Sequence, residues 1–168
     1  MLKKKFFEVF VLITAVITVA TAQTASTIYE NNINSMSAIS TWELKNIGFG
    51  SENNGQIVFG ADGVATLPQL PEGVSNMTVS IQAIWTDWIY LHTSSDGVKY
   101  TNRGLFDDNG GELANSSKKI PDGTRFVRFV ARDGTNNDVF LVSVRIRGVS
   151  AAQEKVEKQE EIDGASIN

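Results

Sequence analysis

Trp88, Tyr90 and His92 are spaced two apart, with Ile89, Leu91 and Thr93 between them. Successive side chains of a strand point to opposite faces. Ile89, Leu91 and Thr93 are therefore expected to face a core, and Trp88, Tyr90 and His92 to project from the other side. Flat rings on an open sheet suit the C–H faces of sugar rings, with polar neighbours for the hydroxyls. The plainer use is packing beneath a loop or beneath segment 23–40. Arg128, Arg132, Arg145 and Arg147 form a second outward row on two late strands. Guanidinium forks hold carboxylate and sulfate groups, and the plainer use here is a charged surface that blunts strand edges. The candidate ligand-binding set is Trp88 and Tyr90 for stacking, with His92, Arg128 and Arg145 as donors if their strands adjoin.

Catalytic chemistry finds less support. His92, Ser94 and Asp96 alternate, but strand neighbours two apart sit about 7 Å from each other, too far for the hydrogen bonds of a triad. Asp87, Asp107, Asp108, Glu112 and Asp133 offer many carboxylate pairs, and spacing alone does not choose one for glycoside hydrolysis. No glycine-rich phosphate loop is present. The 168 residues carry a net charge of −4 and no cysteine. That excludes disulfides, thiolate metal sites and a lipid-modified N-terminal cysteine. A lone histidine excludes any site needing two imidazoles, and the acidic balance excludes a strongly basic nucleic-acid binder.

These residues need elements to position them. Lys3, Lys4 and Lys5, an apolar run from Phe6 to Val19 and Ala20-Thr21-Ala22 have the form of a signal peptide over 1–22. Its loss leaves a secreted or periplasmic chain of net charge −6, with no membrane span, because three lysines and one glutamate leave with it. Segment 23–40 is polar, 41–148 is the folded body and 149–168 is a charged tail with helix-forming residues. Within the body, turn signals such as Asp62-Gly63, Asp96-Gly97, Asn109-Gly110-Gly111 and Asp133-Gly134 recur between alternating apolar residues. This pattern predicts an all-β sandwich. Strands are expected at 42–47, 56–60, 64–67, 76–85, 88–93, 98–102, 112–116, 125–132 and 138–147. Inward residues should be Met77, Val79, Ile81, Ala83 and Trp85; Val127, Phe129 and Ala131; and Phe140, Val142, Val144 and Ile146. Trp42 is assigned to the core. Asn76-Met77-Thr78 and Asn115-Ser116-Ser117 fit the N-glycosylation pattern and are taken as chance matches.

Three stretches resemble the galactose-binding-like jelly rolls, which include discoidin-type domains, carbohydrate-binding modules and adhesin-type modules of secreted bacterial proteins. They are Ser94-Ser95-Asp96-Gly97-Val98-Lys99-Tyr100, matching a Ser-x-Asp-Gly-x-x-aromatic hairpin, Arg125-Phe126-Val127-Arg128-Phe129-Val130, and Asp138 to Ile146. The resemblance implies an antiparallel two-sheet jelly-roll sandwich over most of 41–148. It carries over no ligand set. It also implies a structural calcium ion, for which Asp133, Asn136 and Asp138 supply oxygens at loop spacing; Asp107, Asp108 and Asn109 form a second oxygen-rich loop. The expected function is non-catalytic binding of a carbohydrate or cell-surface glycan. The alternatives are a structural or adhesive subunit packing on a protein partner through the same surface, and a small hydrolase.

Overall fold

The computed structural model describes residues 24–50, 56–151 and Ile162. The signal peptide expected at 1–22 and most of the tail expected at 149–168 lie outside them. No helix among the described residues is long and apolar enough to cross a membrane.

Among the described residues, nine antiparallel strands form the fold: β1 (Ser26–Asn32), β2 (Glu43–Gly50), β3 (Gln56–Thr66), β4 (Val74–Ile84), β5 (Ile89–Ser94), β6 (Thr101–Leu105), β7 (Ala114–Lys119), β8 (Phe126–Ala131) and β9 (Val139–Ser150). Their order is β6-β5-β8-β3-β9-β4-β7, with β1 also on β9 and β2 also on β3. The sheet curls on itself as a jelly-roll sandwich. One layer is β2, β3, β8, β5 and β6; the other is β1, β9, β4 and β7. The layers share β3. Its first part pairs Ile57–Phe59 with Leu141–Val139 of β9, and its last part pairs Val64–Thr66 with Val130–Arg128 of β8.

The joint between these parts explains why the expected strands 56–60 and 64–67 are one. Asp62 has φ 55° and Asn46 of β2 has φ 51°, and the register steps from Ile47–Phe59 to Lys45–Val64, so residues 60–63 bulge out opposite Asn46 within one strand. The Asn46 side-chain amide donates to the Ala61 carbonyl at 3.1 Å. A Cβ on Gly63 would come within 2.9 Å of the Gly60 carbonyl oxygen, so the bulge requires glycine there.

The two layers bury one continuous core. Phe59, Phe129, Ile57, Met77, Ile81, Ile89, Leu91, Leu141 and Ile146 are all fully buried. Period-two patterning placed the inner faces of β4, β5 and β8 correctly, apart from Trp85. That residue is 38% exposed, not core. It takes the left-handed conformation (φ 61°) that ends β4 and starts the 3-10 turn Thr86–Trp88, so it leaves the strand's alternation. Its indole lies on Gly111, where a Cβ would overlap the ring.

The last strand needs a second correction. Val144 and Ile146 point inward as expected, but Leu141 and Val139 do so in place of Phe140 and Val142. Gln82 stands opposite Ser143 while Ala83 stands opposite Leu141, so Val142 is the extra residue of a β-bulge. One inserted residue exchanges inside for outside along the rest of the strand. The bulged carbonyl is used: the Ile33 N–H donates to Val142 O at 2.9 Å.

Segment 23–40 belongs to the sandwich. β1 runs against β9 from Ser26–Gly148 to Asn32–Ser143. After it, Ile33, ahead of the 3-10 turn Met36–Ile39, and Ile39, its last residue, enter the core. Trp42 is buried, as expected, and its indole N–H donates to the Tyr29 hydroxyl at 2.6 Å. Two edge strands lie two or three residues later than the patterning placed them, at Thr101–Leu105 and Ala114–Lys119.

Candidate functional site

The outer face of β2, β3, β8, β5 and β6 gathers side chains in rows set by strand register. Glu43 pairs with Thr66, Thr66 with Arg128, Arg128 with His92 and His92 with Asn102. The next row runs Lys45, Val64, Val130, Tyr90 and Leu105. Residues in such rows stand about 5 Å apart from strand to strand.

Arg128 is the hub. Its guanidinium carbon sits 3.9 Å from the centre of the Tyr100 ring, a cation–π contact. Its Nη2 lies 3.4 Å from His92 Nδ1. Arginine only donates, so this contact makes Nδ1 the acceptor and leaves the imidazole proton on Nε2. Both burial, the larger cause, and the Arg128 charge hold the His92 pKa below its ordinary 6.5. The His92 and Tyr90 rings are 6.3 Å apart and tilted. Arg128 Nε is buried with no acceptor from the protein among the described residues.

Tyr100 reaches this cluster through a rigid turn after β5. The Ser94 hydroxyl donates to Asp96 Oδ1 at 2.8 Å and accepts the Gly97 N–H at 2.9 Å. Asp96 Oδ1 also accepts the Val98 and Lys99 N–H groups, each at 2.9 Å. Those bonds, the Lys99 one foremost, lower the Asp96 pKa to about 2. The Ser94 and Asp96 side chains are thus in direct contact, closer than an extended strand allows, because Asp96 lies in the turn. His92 is not between them; its hydrogen-bonding neighbour is Arg128. Burial raises the Tyr100 pKa; Arg128 opposes that, while Glu43 and Asp96 add to it.

Tyr90, His92 and Arg128 are therefore brought together, all half-buried. Trp88 is displaced from them. It closes the 3-10 turn before β5, packs partly against the core and carries the Arg132 guanidinium 5.3 Å over its ring. Arg145 is not brought together with the others. It lies on β9 in the other layer, where its Nε donates to Glu30 Oε1 at 3.0 Å. There it lines a groove of about 390 Å³ with Glu30, Ser80, Gln82, Ser143 and Arg147. A second recess, about 370 Å³, lies at the end of the sandwich among Asp96, Lys99, Arg103 and Asp122.

The residue that sequence reasoning missed is Tyr100. It sits four residues after Asp96 in the hairpin motif, an offset that carried the turn but not the direction of its last ring.

The loop expected to hold calcium is closed by its own hydrogen bonds. Asp138 Oδ1 accepts the Asn136 N–H at 3.0 Å, Thr135 Oγ1 donates to Arg132 O at 2.7 Å, and the Asn137 N–H donates to Phe59 O at 3.1 Å. Among the described residues no three Asp, Glu or His side chains gather as ion ligands. Of the three expected ligands, Asp138 gives its Oδ1 to the loop backbone, and no role is derived through an ion there.

No protein-family profile matches the chain, and no curated protein does. Solved structures that resemble it include the family 29 carbohydrate-binding module CBM29_1 from Piromyces equi, at 15% identity and TM-score 0.48, covering 75% of this chain and 91% of that one. The C-terminal family 6 module of LamC, a laminarinase from Zobellia galactanivorans, gives 12% identity and TM-score 0.49 over 72% and 98%. The K3 cleaved adhesin domain of Lys-gingipain from Porphyromonas gingivalis gives 12% and 0.46 over 75% and 97%. These are the kinds of module that the sequence resembles. At this level the likeness concerns general architecture and assigns no ligand.

Proposed function

We propose that this chain is a non-catalytic carbohydrate-binding module, engaging saccharides on the outer face of β2, β3, β8, β5 and β6. The observation that carries this reading is the Tyr90–His92–Arg128–Tyr100 cluster. It sets aromatic rings beside fixed hydrogen-bond donors on one half-buried sheet face. A sugar needs both, a flat apolar surface for its C–H face and preset polar groups for its hydroxyls. The reading stands on this face and not on the likeness to solved structures.

The absence of a catalytic role is supported by how the nucleophile and base candidates are already used. The Ser94 hydroxyl is donated to Asp96, and His92 Nδ1 faces a cation. Neither arrangement activates a nucleophile. An open face buries little of a ligand, so one site should bind weakly, with Kd about 0.1–1 mM. Binding to a glycan array followed by calorimetry tests the proposal. Tyr90→Ala and Tyr100→Ala should each weaken the retained saccharide about fivefold or more, with the circular dichroism spectrum unchanged. Failure of every saccharide to bind, or undiminished binding by both variants, would remove the face from consideration.

A further inference from the structure

We infer that the saccharide bound at this face carries a negative charge, as a uronate carboxylate or a sulfate ester. The inference rests on the saccharide reading and adds the ligand's charge class to it. Arg128 carries the argument. Its guanidinium is half-buried in the central strand of the layer, held against Tyr100, with its Nε buried and lacking an acceptor. The ion pairs among the described residues are Arg125–Glu72 and Arg145–Glu30, and neither includes Arg128. A cation withdrawn from water without a counter-ion is costly unless something else supplies the anion.

The carboxylates nearest to that role are placed elsewhere. Glu43 stands two strands away in the same row, beyond Thr66. Asp96 turns its Oδ1 to the turn that carries Tyr100 and forms no ion pair with Arg128. His92, the direct neighbour, is held neutral and offers Arg128 a nitrogen lone pair, not a charge. Lys45 lies outward on the next row, and Arg132, past the end of β8, is taken up over the Trp88 ring. The two central rows therefore set Lys45 and Arg128 against Glu43. An anionic oxygen at the terminal nitrogens of Arg128, the part of the fork a ligand can reach, would supply the counter-charge that no ion pair among the described residues does. Arginine's planar fork suits carboxylate and sulfate oxygens alike.

The test uses the unaltered protein first. Oligogalacturonate and its methyl ester share a sugar backbone and differ in charge. Calorimetry at low and high salt should show the acid binding about tenfold or more tighter than the ester, the range expected for a hydrogen bond to a charged group. The preference should shrink as salt rises. A sulfated galactan replacing the uronate with equal preference over its desulfated form would support the charge class and identify the source as sulfate. Arg128→Gln should abolish the preference, and Arg128→Lys should keep part of it, both with unchanged circular dichroism. Equal binding of charged and neutral forms would overturn the inference while leaving the saccharide reading standing. Free sulfate binding as tightly as the charged saccharide would overturn it too. Failure of every saccharide would overturn both. If Arg128→Gln does not fold, the acid–ester comparison still decides.

Discussion

At the scale of single residues, His92 makes the most direct solution prediction. Its folded pKa lies below 6.5, chiefly from burial and secondly from Arg128, so the folded state resists protonation that the unfolded chain accepts. Between the depressed folded value and 6.5 the unfolded state binds more protons, and stability there rises with pH. The contribution of neutral His92 should be complete above 6.5, decline as pH falls through that window, and level off once the folded protein is also protonated. Urea denaturation across this range should show the decline, reduced in His92→Gln, which cannot titrate. A stability that increases on acidification in the unaltered protein but not in the variant would contradict the Nδ1–Arg128 contact. Tyr100 shows how a residue can be readable in kind yet not in place. An aromatic at the end of a Ser-x-Asp-Gly hairpin is visible in the sequence, but its position under Arg128 depends on the Asp96 hydrogen bonds turning the chain back across β8.

At the scale of elements, alternation was a good guide wherever a strand stayed regular. Met77, Val79, Ile81 and Ala83 on β4, Leu91 on β5 and Phe129 on β8 all point where period two puts them. It failed where the backbone changed state. Trp85 leaves β4 through a positive φ, and Val142 is an extra residue in β9; neither event has a glycine or proline to announce it. The bulge has a measurable consequence. Leu141→Ala should cost about 2–5 kcal/mol, because it hollows a fully buried position. Phe140→Ala, although it deletes a larger side chain, should cost less, since Phe140 is only half-buried. Chemical denaturation of the two variants checks the order, and a reversed order would restore the unbulged register. Strand neighbourhood was the other quantity hidden from the sequence. Arg128 and Arg145 both read as outward, yet β8 and β9 meet only through β3 and lie in different layers. Pairing order depends on contacts between distant segments, and local patterning contains none of them.

At the scale of the whole molecule, the sheet is one continuous curl around one core, so its layers are expected to melt together. The N-terminal segment is part of that unit, although its polar composition left open whether it forms a first strand or lies over the domain. Ile33 and Ile39 are among its fully buried residues, and Tyr29 supplies the partner of the Trp42 indole. Deleting residues 24–39 should therefore abolish a single cooperative transition, read by near-ultraviolet circular dichroism on heating. A truncated chain that melts as sharply as the parent would show the segment to be an accessory layer.

The pairing of Ser26 with Gly148 sets the start of β1 beside the end of β9. The backbone thus enters and leaves the sandwich at one corner, side by side. Tension drawn between those two points meets the β1–β9 bonds singly, like the teeth of a zipper, instead of loading them all at once. Under stretch the first strand should yield first, baring the Tyr29 hydroxyl and the Trp42 indole while the face around Arg128 stays intact, an order that single-molecule pulling would read directly.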